Sequence, residues 1–299
     1  MAKFAKNVDP KAVAAKQAAN VMKQMQRKNL SSVGTVRNYE ERLTIVAKHA
    51  NADFNCGLRD LTVEQAHQYL TDRATEVGQK TLDMERQAIQ SMMQHVTGKL
   101  GPTEKLDVIK SYKQQILSSR SYTPEQAAMI AKAQTERNAL ATEIAHAAGL
   151  RAHELYTLQR IDERSPDPRP ALEEKFSARE GERYTVEGKG GLVREVLIPK
   201  SLAERLEDRR LVHPIQITDR GVHYTSHYDI NGGNRWSSSF TTASNRTLNW
   251  STGAHGLRHS YAQERMSELQ KSMPYEKALE VVSQEMGHFR PNITEVYLR

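Results

Sequence analysis

His255-Gly256-Leu257-Arg258-His259, followed by Gly287-His288 and, nine positions later, Tyr297, is the stretch that decides how this 299-residue chain is read. A tyrosine phenol is protonated near neutral pH and needs help before it attacks anything. Help is close by in sequence. Histidines move protons near neutrality, and an arginine offers a rigid fork of donors that fits two oxygens of a phosphate at once. The target that suits such a set is a phosphodiester.

Two upstream stretches complete the set. Ala148-Gly149-Leu150-Arg151-Ala152-His153-Glu154-Leu155 supplies a second arginine and a carboxylate, and Val186-Glu187-Gly188-Lys189-Gly190-Gly191 supplies a lysine between glycines. Any one of these strings occurs by chance in many proteins, but their order is informative. In order they are G-x-R-x-x-E-L, a G-K-G turn, H-x-x-R, G-H, and a tyrosine about nine residues on. In that pattern the chain resembles the tyrosine recombinase, or phage integrase, family.

The resemblance implies roles, residue by residue. Arg151 and Arg258 would neutralise the non-bridging phosphate oxygens as charge builds on them. Tyr297 would attack phosphorus and hold the broken strand as a 3′-phosphotyrosine, conserving the bond energy so that rejoining needs no cofactor. His255 and His288 would take the phenol proton and donate to the phosphate, and the sequence leaves open which does which. Lys189 would protonate the departing 5′ oxygen, and Glu154 would buttress the cluster. His255 and His259, four apart, have the spacing of a metal pair, but no glutamate follows the first histidine as in H-E-x-x-H. No metal is therefore expected, and His259 reads as a supporting or core histidine.

Composition sets the wider frame. The net charge is +7, and most of the excess lies in residues 1–30, where Lys3, Lys6, Lys11, Lys16, Lys23, Arg27 and Lys28 face only Asp9. That balance favours a polyanionic partner. The leading residues lack the apolar run of a secretory signal, and no later stretch approaches the roughly 20 apolar residues of a membrane span. One cysteine, Cys56, precludes an internal disulfide. The expectation is a cytoplasmic protein with no membrane association.

The pattern along the chain predicts a mainly α protein with a small β-hairpin or sheet. Residues 1–30 read as a basic arm. Residues 31–118 read as a helical bundle: one helix capped near Ser31-Ser32, a second capped by Thr62, and a third over Thr81–Val96 ended by Gly98. After a polar linker around Ser118–Ser121, residues 122–299 form the second unit. Thr123-Pro124-Glu125 opens a long helix expected to continue to Gly149. Residues 162–182 read as an exposed loop. Gly188–Gly191 sits at the turn of a hairpin between Tyr184–Val186 and Val193–Ile198. Residues 219–253 carry little periodicity. Helical pattern returns after His255, broken at Pro274 and Gly287.

The resemblance is weak over residues 30–118, which would be the family's DNA-binding domain, and strong over 122–299. Met286 stands where a leucine commonly precedes the G-H pair, a volume-conserving change. The stretch from Arg258 to His288 is longer than usual. Family members commonly continue past the tyrosine in a segment that packs on a neighbouring subunit; here two residues follow it. The expected partners are double-stranded DNA, three further copies of the chain in a tetramer on DNA, and accessory DNA-bending proteins. Arg27, Arg37, Lys80 and Arg86 are candidate DNA contacts. A type IB topoisomerase-like enzyme and a DNA-binding module without turnover remain as alternatives.

Overall fold

The computed structural model describes residues 9–26, 33–115 and 117–299, and these divide after residue 116 into two units. In the first, helix α1 (Pro10–Gln26) packs on α2 (Val33–Phe54), and α3 (Val63–Arg73) and α4 (Gln79–Met92) complete the bundle. The leading basic segment is thus not a free arm over residues 10–26. Its Ala14, Ala18, Val21, Met22 and Met25 are buried with Leu43, Val46, Leu70, Leu82 and Ile89. Those five α1 positions recur at the helical period, while Lys11, Lys16 and Lys23 occupy the exposed face. The lysines masked an amphipathic helix.

Thr62 caps α3 as its sequence suggests. Its hydroxyl accepts from the Gln65 amide at 3.2 Å, and the Gln65 side chain accepts from the Thr62 amide at 2.9 Å. After α4 the chain makes one π-helical turn, Met93–Thr97, and stops at Gly98, which has φ +69°. The proposed caps Ser31 and Ser32 lie outside the described residues.

The second unit begins with α5 (Pro124–Lys132), opened by a Thr123–Gln126 capping box. The single long helix expected from 123 to 149 is two helices, because α6 (Glu136–Ala148) starts afresh after Thr135. The break is held from outside the segment. Gln134 donates to Ser239 at 3.1 Å and accepts from Thr142 at 2.6 Å, and Thr142 in turn accepts from the Trp236 indole at 3.0 Å. Strands β1 (Gln159–Arg160), β2 (Glu182–Glu187) and β3 (Val193–Ile198) form an antiparallel sheet in that order, with Val186 opposite Arg194. Helix α7 (Lys200–Glu207) leads to a second antiparallel pair, β4 (Arg210–Asp219) and β5 (Val222–Tyr228).

Helix α8 (Gly233–Leu248) occupies most of the stretch that carried no clear pattern. Its Ser, Thr and Asn residues are poor helix formers, but Trp236, Phe240 and Ala243 bury one face in the core. Residues 162–182 are irregular but not free. Phe176 is buried, and its amide donates to Glu285 at 2.8 Å. The chain ends with α9 (Gly256–Leu269), α10 (Tyr275–Glu285), α11 (Pro291–Thr294) and a tight turn, Glu295–Tyr297. The architecture is mainly α with small antiparallel sheets. Among the described residues, no helix is long and apolar enough to cross a membrane.

Candidate active site

Gly149 ends α6 with φ +59°, and a Cβ there would sit 2.7 Å from the Tyr261 ring. Only glycine fits that left-handed, crowded position, and it turns the chain so that Arg151 and Glu154 follow on a short corner. Glu154 is wholly buried. It accepts from the Arg151 amide at 2.8 Å, from Arg151 Nη1 at 2.6 Å and from Arg194 Nη2 at 2.7 Å, and Arg258 Nη1 lies 3.9 Å away. Burial alone would raise its pKa, but Arg194, Arg258 and Arg151 outweigh it and hold the carboxyl far below the usual carboxylate range.

Arg258 rises from the first turn of α9 and is also wholly buried. It donates to the carbonyls of Gly149 and Met286, the latter at 3.0 Å, and from Nη2 to His288 Nε2 at 3.1 Å. Arginine has no acceptor, so His288 Nε2 must accept. The His288 proton is then on Nδ1, which donates to Thr294 at 2.9 Å. Arg258 and His288 therefore fix one another. Burial, with Arg151 nearby, lowers the Arg258 pKa to about 10, which leaves it charged at neutral pH.

Tyr297 lies among the histidines. Its ring centroid is 4.7 Å from that of His259, 5.0 Å from His288 and 5.5 Å from His255, and Arg258 Cζ is 5.6 Å from it. The Gln263 side chain donates to the Tyr297 and Arg299 carbonyls at 3.1 and 2.7 Å, which pins this last turn to α9. Among the described residues, neither the Tyr297 hydroxyl nor the His255 ring forms a hydrogen bond.

The electrostatics point one way. Arg151, Arg194 and Arg258 surround one carboxylate, Glu154, so the cluster carries an excess of positive charge. The histidines do not add to it. His288 is pushed down to about 3 by burial and by Arg258, Arg151 and Arg194, and His259 to about 4 by burial and Arg120. His255 is shifted the same way by partial burial of its ring, Arg258 and His259. It is exposed at the surface, and water screens part of that field. At neutral pH these are neutral imidazoles beside uncompensated guanidiniums. Such a cluster is suited to an anion that supplies the missing negative charge.

Thus the structure brings together Arg151, Glu154, His255, Arg258, His288 and Tyr297. It does not bring Lys189 into the hydrogen-bonded cluster. Lys189 is exposed on the turn between β2 and β3, and among the described residues its ammonium forms no ion pair. The preceding residue does touch the cluster: a Cβ at Gly188 would be 3.3 Å from Glu154 Oε1 and 3.6 Å from Arg151 Nη1. One residue of the cluster, Arg194, escaped the sequence reading, and His259, read as a supporting or core histidine, lies closer to Tyr297 than that reading implied. His259 has the ring nearest Tyr297, and Arg194 binds Glu154. A signal for Arg194 existed, since it shares the inward parity of β3 with Val196 and Ile198.

The four basic candidates in the first unit fare differently. Arg37 is paired with Glu41 at 3.2 Å, and Arg86 donates to Gln90 and to the Leu106 carbonyl, both at 3.2 Å. Lys80 is exposed, and Arg27 lies outside the described residues. Among the described residues, no group of three or more His, Cys, Asp or Glu is placed to hold a metal.

No protein-family model and no curated protein sequence matches the chain. Solved structures do. A lambda integrase dimer bound to a COC′ core site superposes with a TM-score of 0.61 at 15% identity, over 95% of this chain and 76% of that one. The Tn1549 transposon integrase in complex with transposon right end DNA gives 0.56 at 13% identity, over 96% and 94%. The XerH site-specific recombinase bound to difH substrate, a pre-cleavage complex, gives 0.53 at 16%, over 99% and 94%. The chain has the tyrosine recombinase fold. On the tyrosine recombinase fold the helical first unit and the α-rich second unit are both accounted for, since each likeness spans nearly the whole chain. Identities this low speak to the fold, so the chemistry rests on the residues themselves.

Proposed function

We propose that this protein is a site-specific DNA recombinase of the integrase type, which cuts and rejoins strands of double-stranded DNA through a 3′-phosphotyrosine on Tyr297. The observation that carries the proposal is the Tyr297 ring set among three histidine rings, next to Arg258 and a cluster of three arginines around one carboxylate. A backbone phosphate supplies the negative charge that such a cluster lacks.

In this reading Arg151 and Arg258 bind the non-bridging oxygens, and their charge stabilises the crowded phosphorane-like transition state. His288 orients Arg258 through its Nε2. His255, whose ring nitrogens are unengaged, takes the proton as the Tyr297 oxygen attacks phosphorus. The phosphate anion offsets the arginine field and raises the His255 pKa from its depressed value, making it a better base once DNA is bound. The bond from phosphorus to the 5′ oxygen breaks, and that oxygen takes a proton from Lys189. Rejoining runs the same steps backwards from a new 5′ hydroxyl, so no ATP, metal or other cofactor enters.

The three solved structures above were captured on DNA, and so was a lambda integrase tetramer bound to a Holliday junction. We extend that assembly to this chain: four copies joining two DNA sites in the cytoplasm, with accessory DNA-bending proteins where the sites require them. Phosphate contacts would supply most of the affinity and its salt dependence. Lys80 is exposed and is the described candidate in the first unit for such contacts, and Arg27 is retained on its place in the sequence alone.

The test is a nicked duplex from which a short 5′-hydroxyl strand diffuses away after cleavage, trapping the protein on DNA. The proposal expects a covalent adduct with the wild type and none with Tyr297→Phe. DNA binding without any adduct would instead mark a binding module. Adduct formation and relaxation of a single duplex, with no exchange between two sites, would mark a topoisomerase-like enzyme.

A further inference from the structure

Arg194 is 3% exposed and belongs to the strand that leaves the Lys189 turn. Its guanidinium spans three separate segments. Nη2 donates to Glu154 at 2.7 Å and to the Gly149 carbonyl at 3.4 Å, and Nη1 donates to the Glu285 carbonyl at 2.7 Å. Arg258 uses the neighbouring set, the carbonyls of Gly149 and Met286 and the far approach to Glu154. The two arginines thus share Gly149 and Glu154 and take adjacent carbonyls at the end of α10. The aliphatic stem of Arg194 runs beneath Gly287: a Cβ there would be 2.5 Å from Arg194 Cδ.

The path from this anchor to Lys189 is short. Arg194 pairs with Val186 across the ladder, the Gly188 amide donates to the Leu192 carbonyl at 2.7 Å, and Gly188 itself abuts Glu154 and Arg151. Lys189 is exposed and has no ion pair of its own among the described residues. Its distance from a phosphate held by Arg151 and Arg258 is therefore set by the strand frame, which the Glu187 amide ties to Thr157 at 2.9 Å and Arg194 ties to the Glu154 carboxylate itself. A lysine in its place keeps the charge, but it cannot bind a carboxylate and a carbonyl in one rigid fork.

We infer that Arg194 is a positioning residue for leaving-group protonation: it locks the β2–β3 hairpin, and with it Lys189, onto the Glu154 corner and the turn before His288. The inference rests on the proposed strand-cleavage reading. Its signature is selective. When Tyr297 displaces a 5′ oxygen, the departing alkoxide needs a proton. When a sulfur replaces that bridging oxygen, a thiolate leaves unaided, because thiols ionise near pH 8.5. A misplaced Lys189 therefore matters for the oxygen substrate and not for the sulfur one.

The experiment measures single-turnover adduct formation on nicked duplexes with 5′-oxygen and 5′-sulfur bridges, for the wild type, Lys189→Ala, Tyr297→Phe and Arg194→Lys. The expected result is that Arg194→Lys slows the oxygen substrate by at least about 10-fold, a part of the roughly 10²- to 10⁴-fold that a positioned general acid contributes, and stays within about threefold of wild type on the sulfur substrate. Lys189→Ala should share that pattern, and Tyr297→Phe should be inert on both. Equal slowing of both substrates by a folded Arg194→Lys, or no slowing of either, overturns the inference and leaves the cleavage reading intact. A wild type that forms no adduct on either substrate overturns both. Should Arg194→Lys not fold, Arg194→Gln, whose shorter side chain keeps an N–H donor but cannot span Glu154 and the Glu285 carbonyl together, must show the same sulfur rescue, and its absence overturns the inference.

Discussion

Replacing Glu154 by Gln should cost the second unit about 3–5 kcal/mol, the usual penalty for leaving a buried charge without its partner. The structure sets that scale. Glu154 is 0% exposed and Arg194 3%, so little water can take the place of the lost charge. The amide oxygen can still accept from Arg151, but the amide nitrogen then faces Arg194 Nη2, a donor against a donor. Both tryptophans, Trp236 and Trp250, lie in this unit, so fluorescence reports its unfolding directly. With a urea slope of about 2.5 kcal/mol/M, the midpoint should fall by about 1–2 M. Sulfate should recover more of the loss in Glu154→Gln than it adds to the wild type, because the variant cluster has one more uncompensated positive charge and an anion bound only by the folded state stabilises it. A midpoint shift below about 0.3 M, or equal sulfate responses, would refute the picture of three arginines held together by one carboxylate.

Lowering the pH should destabilise the same unit through two imidazoles, the buried His259 and the half-buried His288. His259 and His288 have folded pKa values depressed to about 4 and about 3. The unfolded chain therefore takes up their protons as pH falls below about 6.5 while the folded state does not. From pH 7.5 to 5.5 that amounts to about 1.4 kcal/mol each, or about 3 kcal/mol together; a His259→Asn/His288→Asn double variant that keeps the full wild-type pH slope would contradict it. Gly149→Ala should lose at least about 2 kcal/mol, combining a left-handed backbone with a methyl against the Tyr261 ring, and an unchanged melting temperature would mean the corner is not rigid. Met22→Ala should cost the first unit about 2–5 kcal/mol, since its side chain is 1% exposed in the bundle. Hydrogen exchange in α2 would register that loss, and a free basic arm would give no change.

The reach of the sequence differed from one element to the next for physical reasons. Thr62 and Thr123 announced helix starts because a capping box is local: the hydroxyl and the glutamine lie three residues apart. Gly149 and Gly98 announced helix ends for the same reason. Helix α8 was hidden because its stability comes from Trp236 and Phe240 entering a core built by distant segments, against the propensity of its serines and asparagines. Helix α1 was hidden by its lysines, whose charge drew the eye from the buried period. The break between α5 and α6 depends on Ser239 and Trp236, about a hundred residues away.

At the site, the order and spacing of the motifs grouped Arg151, Glu154, His255, Arg258, His288 and Tyr297, and the structure brings these side chains together. Arg194 was not, since its partners are a carboxylate and two backbone carbonyls, and carbonyls leave no mark in a sequence. The division of labour between the histidines was likewise invisible. The proposed division rests on Arg258, which can only donate and so makes His288 Nε2 an acceptor.

The most direct test of the central claim is to digest the trapped protein–DNA adduct and locate the modified residue by mass spectrometry. The account predicts a single nucleotide-bearing peptide with the 3′-phosphate on Tyr297. An adduct on another side chain, such as Tyr275 or Tyr261, or a free 3′-phosphate with no peptide attached, would contradict it.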